Sequence, residues 1–112
     1  MTSDLTTKHC EACEGIGAAL ELTQIKNLLS QISPHWELYD NNRKLKRALS
    51  FANFYETMAF VNALAWIANQ ENHHPDLEIG YNYCTITFTT HALNGLSHND
   101  FICAAKADKL IS

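Results

Sequence analysis

Two short stretches concentrate the side chains able to move protons: Glu71-Asn72-His73-His74-Pro75-Asp76 and Thr89-Thr90-His91. Three imidazoles fall within nineteen residues and bracket one strand-like segment. Histidine is the one side chain whose unperturbed pKa, about 6.5, lets it both give and take a proton near neutrality. The cluster therefore points to general acid–base chemistry or to metal binding. An adjacent His-His pair fits metal poorly, because zinc ligands on one element are spaced to share a face. Pro75 stiffens the backbone beside the pair, and His91 follows a strand that an antiparallel hairpin returns to the same end of a sheet. The plainer alternative for His73 and His74 is a pair of exposed loop histidines.

The elements that must position these groups can be read from hydrophobic spacing. Thr23 is a good N-cap for a first helix in which Leu22, Ile25, Leu28, Leu29 and Ile32 recur at helical intervals, ended by Ser33-Pro34. Trp36 to Tyr39 reads as a short strand, Asp40-Asn41-Asn42 as a turn, and Leu45 to Phe51 as the return strand. Arg47 shares the apolar face of that strand, where an arginine snorkels or pairs at the edge. Asn53 with Glu56 opens a second, longer helix bearing Phe54, Met58, Val61, Leu64, Ala65 and Ala68 on one stripe. Pro75 disfavours helical geometry at His74, which ends this helix near Glu71 or Asn72. Cys84, Ile86 and Phe88 alternate with threonines as a half-buried strand, after a hairpin turn at Gly80-Tyr81-Asn82. Asn94-Gly95 is a turn, and Ser97 with Asp100 makes a capping box for a last helix, so Asp100 has a structural reason to be there. The order α-β-β-α-β-β-α predicts an α+β fold: a four-stranded antiparallel sheet with about three helices packed on one face.

The bulk properties narrow the class. The 112 residues suit one domain with one ordinary core, and 46% apolar composition suits a folded chain. Residues 1–20 read as a weakly structured tail and 21–112 as the domain. The net charge of −4 and the lack of a basic patch beyond Arg43-Lys44-Leu45-Lys46-Arg47 argue against nucleic acid as a partner. The apolar run from Met58 to Ala68 is too short for a membrane span, and the N-terminus lacks a secretory pattern. The expected compartment is the cytoplasm, with all four cysteines reduced. His9-Cys10-Glu11-Ala12-Cys13 could hold half a zinc site, but Cys84 and Cys103 do not complete it at a recognised spacing. An exposed tail with incidental thiols is the simpler reading, and no metal is expected.

Taken together, Asn72-His73-His74-Pro75-Asp76, Tyr81, Thr89-Thr90-His91, Gly95-Leu96-Ser97 and Asp100 resemble the pterin-4a-carbinolamine dehydratases. The resemblance extends to Trp36, the strand from Leu45 to Phe51 and Phe54-x5-Phe60-Val61, and spans residues 22 to 108. It implies a reaction, the dehydration of 4a-hydroxytetrahydropterin to the quinonoid dihydropterin, with the pterin as substrate and no further cofactor. It implies coupling to an aromatic amino-acid hydroxylase, whose pterin is thereby recycled, and a homodimer or homotetramer. By the same resemblance His73 and His91 are the proton-transfer pair, and His74 orients the pterin. Pro75, Asp76, Thr90 and Ala92 line the ring site, and Trp36 supplies an aromatic wall. Two positions depart from the family pattern: Asn69 stands where an acidic residue is common, and Ala92 where a polar or acidic one is frequent. A carboxylate lost there lowers the local negative charge around the imidazoles. A binding or regulatory protein that keeps the fold without the catalysis is the competing reading.

Overall fold

The computed structural model describes residues 4–11 and 17–111. Helix α1 spans Leu22–Leu29, strands β1 and β2 span Glu37–Tyr39 and Lys44–Ser50, and helix α2 spans Phe54–Glu71. Strands β3 and β4 follow at Asp76–Ile79 and Tyr83–Phe88, and helix α3 closes the chain at His98–Lys109. The strands form one antiparallel sheet in the order β1-β2-β4-β3, so the α+β architecture predicted from the sequence holds.

Alternation explains the layering. Residues at every second position of a strand face one side, and the register pairs Leu45 with Phe88, Arg47 with Ile86 and Leu49 with Cys84. All six of these side chains are buried, joined by Trp36, Ile25, Leu28, Phe60, Leu64, Phe101 and Ile102 in a single core. Arg47 survives on this face because its guanidinium reaches Asp108 of α3 at 2.6 Å. Asp108 also accepts from the Trp36 indole at 2.8 Å and from the Ser33 N–H at 2.9 Å, which ties the β1 entrance to α3. The turn between β1 and β2 puts Asp40, Asn41 and Asn42 at positive φ, a region these short polar side chains tolerate best after glycine. Helix α1 starts one residue before the expected Thr23 cap. Glu21 is the N-cap, locked by a reciprocal capping box with Gln24.

The N-terminal segment differs from the weakly structured tail expected from its composition. Residues Asp4–Thr7 form a 3-10 turn and Leu5 is 1% exposed, a full member of the core. A single apolar residue in a one-turn helix has no periodicity to read, which is why the sequence pattern conceals it. Beyond the turn, the Cys10 N–H donates to Glu71 at the end of α2 (2.8 Å). Glu11 exchanges bonds of 3.0 and 2.7 Å with Asn99 at the start of α3. Cys10 is half-buried, whereas Cys13 lies outside the described residues.

Glu71 is the anchor of this strap. Its burial alone would raise its carboxyl pKa, but the Lys106 ammonium at 2.6 Å, the Cys10 N–H and His9 outweigh that and hold it at about 2, below its ordinary 4.5. The carboxylate is thus favoured by the fold. Its contribution is complete above about pH 4.5 and disappears as the pH falls through about 2. Acid unfolding followed by circular dichroism should show this as a loss of stability across that window. Glu71→Gln should flatten the curve there while lowering stability at neutral pH.

Candidate functional site

The junction between α2 and β3 is built by its own backbone. Asn72 takes the left-handed conformation at φ 51°, and the His73 N–H reaches back to the Ala68 carbonyl at 3.1 Å while the Asn72 N–H reaches Asn69 at 3.3 Å. These two bonds are a Schellman stop, with asparagine in place of the usual glycine. Helix α2 therefore ends where Pro75 predicted, and the direction of the next two residues is fixed. His73 turns inward, 8% exposed, and His74 turns outward into solvent.

His73 enters a buried polar network. Its Nε2 lies 2.7 Å from Oδ1 of Asp100, a residue with no exposed surface. The other carboxylate oxygen of Asp100 accepts from the Thr90 hydroxyl at 2.8 Å and from the Ser97 N–H at 3.0 Å. Because the one Thr90 proton goes to Asp100, the Ser97 hydroxyl donates to Thr90 across 2.8 Å. A carboxylate accepts only, so Nε2 of His73 carries the proton, which leaves Nδ1 as the nitrogen with an available lone pair. Among the described residues no protein group bonds that nitrogen. The ring stacks nearly parallel to Phe88, at 6.1 Å between centroids and 9° between planes.

Ser97 and Asp100 do form the expected capping box at the start of α3. The cap and the histidine partner are the same carboxylate. Spacing along the chain revealed the first role and gave no sign of the second, which depends on a residue 27 positions away.

A cleft of about 320 Å³ opens beside this network, lined by Leu64, Ala65, Ala68, Asn69, Asn72, His73, His74, Pro75 and Leu77. Its volume and its apolar floor with a few convergent polar groups suit a small, flat, polar-edged ring system. A larger groove of about 470 Å³ lies between the N-terminal strap and α3, bordered by Lys8, His9, Glu11, His98, Asn99 and Ile102. Its buried amide, Asn99, is already committed to Glu11, and the titratable side chains at its rim are exposed, so the imidazole cleft is the better candidate.

Of the residues singled out in the sequence, the cleft brings together His73, His74, Pro75 and Asn69. His91 starts an exposed 3-10 turn, His91–Leu93, immediately after Thr90. The register pairs Asp76 with Thr87, so His91 and the His73-His74 pair sit at one end of the sheet, as the hairpin argument required. Asp76 and Ala92 are exposed near that end and do not line the cleft. Thr90 is 1% exposed and its hydroxyl is consumed by Asp100 and Ser97, so it braces the network rather than lining the cleft. Trp36 is corrected from an aromatic wall to a core residue. It is 3% exposed, leans on Phe88 at 5.9 Å and spends its indole N–H on Asp108.

The sequence profile of the family described as Pterin 4 alpha carbinolamine dehydratase matches residues 18–110. The chain belongs to that family. A protein of Legionella pneumophila (strain Corby), provisionally named a pterin-4-alpha-carbinolamine dehydratase, is 74% identical over 99% of this chain and 98% of its own length. A relative of the same provisional name from Nitrosomonas eutropha is 52% identical over 96% of this chain and 94% of its own. Among solved structures, a transcriptional coactivator/pterin dehydratase from Brucella melitensis superposes with a TM-score of 0.79. It covers 84% of this chain and 99% of its own at 24% identity, which supports the dehydratase fold. A pterin dehydratase-like protein identified as a RuBisCO assembly factor matches at TM-score 0.59 and 26% identity, over 67% of this chain and 87% of its own.

Among the described residues no three histidine, cysteine, aspartate or glutamate side chains converge to hold a metal ion, and no helix is long and apolar enough to cross a membrane.

Proposed function

We propose that this member of the family is an active dehydratase that converts 4a-hydroxytetrahydropterin to the quinonoid dihydropterin and water. The observation that carries the reading is the His73–Asp100 pair at the edge of the imidazole cleft. In this reaction the C4a hydroxyl leaves with a proton and the N5 proton is removed. Atoms balance with one acid and one base. His73 is the base: its Nε2–H is held by Asp100, and its Nδ1 accepts the N5 proton. His91 delivers the proton to the departing hydroxyl, and His74 with Pro75 orients the ring. No metal or second cofactor is needed for this step.

The natural setting follows from the substrate. A 4a-hydroxypterin arises when an aromatic amino-acid hydroxylase spends its cofactor, so the protein acts beside such an enzyme, in the cytoplasm, as a homodimer or homotetramer.

The deciding experiment generates the 4a-hydroxypterin with such a hydroxylase and follows its decay by absorbance, with and without the protein. Faster decay establishes the dehydratase. Unchanged decay with correctly folded protein overturns it and leaves the fold as a binding module, with Asn69 as the first residue to restore to an acid.

A further inference from the structure

We propose that Cys10 and Cys103 form a paired-thiol site that closes into an intramolecular disulfide under a peroxide oxidant, fastening residues 4–11 to α3. The two sulfurs, from opposite ends of the chain, lie 3.5 Å apart. Cys103 is fully buried on α3, whereas Cys10 is half-buried and offers the approach from solvent. Bonding needs the sulfurs to close by roughly 1.5 Å, from 3.5 Å to about 2.05 Å.

The segment that carries Cys10 is held in place on both sides. Cys10 is held on one side by its N–H to Glu71 at 2.8 Å, and Glu11 on the other by its bonds to Asn99. The Cys10 sulfur also approaches the Asn99 carbonyl at 3.7 Å. Cys84, by contrast, is buried in β4 with no thiol beside it among the described residues. The Cys103 sulfur further contacts the carbonyl of His73 at 3.9 Å, so the pair sits directly behind the imidazole cleft.

The chemistry balances. The Cys10 thiolate attacks the peroxide O–O bond, giving a sulfenic acid and one water. The Cys103 thiolate then displaces the sulfenic oxygen as a second water and forms the S–S bond. Two thiols lose two electrons and the peroxide is reduced to water. Hydrogen bonding to Cys103, burial and the nearby Glu71 carboxylate all push the Cys10 thiol well above its ordinary range. Thiolate is therefore scarce, and the pair responds to sustained oxidation, faster as the pH rises.

The test treats the full-length protein with hydrogen peroxide at about pH 8–9, blocks remaining thiols and maps the peptides by mass spectrometry. The expected product has lost two hydrogen atoms and yields a Cys10–Cys103 cross-linked peptide that a thiol reductant releases. Its Tm rises by about 5–15 °C, as closing a long loop requires. Cys10→Ser and Cys103→Ser each abolish the cross-link and the Tm rise, and Cys13→Ser leaves both intact. The proposal is overturned by a cross-link to Cys13, by four alkylatable thiols after treatment, or by sulfinic acid at Cys10 without a cross-link.

Discussion

His91→Ala and His73→Ala should each slow the dehydration of 4a-hydroxytetrahydropterin by about 10²–10⁴-fold, the range expected when a positioned acid or base is removed. The two variants should differ in everything else. His91 is exposed at the start of a 3-10 turn, and among the described residues its side chain has no hydrogen-bond partner, so its loss should leave thermal stability within about 0.5 kcal/mol. His73 is buried, stacked on Phe88 and bonded to Asp100. Its truncation opens a cavity and leaves one carboxylate oxygen of Asp100 without its donor, at a cost of about 2–4 kcal/mol. Rates measured by absorbance on both variants, with melting curves on the same samples, separate the chemical role from the structural one. Full activity in the stable His91→Ala protein would remove His91 from the mechanism.

Asp100→Asn should be nearly as damaging to rate, by about 10²–10³-fold, with a smaller cost in stability of about 1–2 kcal/mol. The asymmetry comes from hydrogen-bond direction. The Thr90 hydroxyl and Ser97 N–H both donate to one oxygen of Asp100, so the carboxamide must keep its oxygen there and turn its NH2 toward His73. An NH2 cannot accept, so Nε2 must give up its proton and the ring must switch tautomer. The hydrogen bonds survive in number, which is why the fold tolerates the change. Nδ1 becomes an N–H and can no longer act as the base. Nitrogen-15 chemical shifts of the His73 ring would report the switch directly, and an unchanged tautomer with full activity would refute the positioning role of Asp100. Asp100→Ala lacks this compensation and should lose roughly twice as much stability.

The two predictions rest on parts of the molecule that were unequally visible in the sequence. Helix α2, the β3–β4 hairpin and the capping box of α3 could be read almost residue by residue, because each is a local signal. Apolar spacing, a proline that ends a helix and a Ser-x-x-Asp cap act over a few residues of chain. The acid–base reading of His73, His74 and His91 rested on equally local evidence: two histidines before a proline and one after a strand of alternating threonines. The family resemblance added the reaction to that chemistry.

What the sequence could not supply were the long-range pairings. Trp36 looked like a platform for a ring because it is aromatic and flanked by polar residues, yet packing against Phe88 and the carboxylate of Asp108, 72 residues away, place it in the core. The N-terminal strap looked like a tail because Leu5 is a lone apolar residue, and only the groove beside α3 gives it a place to be buried. Cys10 and Cys103 have no motif spacing, and they meet because Glu71 and Asn99 hold the strap in place. Asp100 showed one of its two roles. The amino-acid order determined the elements and the residue types able to exchange protons, since those depend on backbone sterics, periodicity and pKa. The tertiary structure decided which imidazole is held in one tautomer, because that depends on a buried carboxylate delivered from another helix.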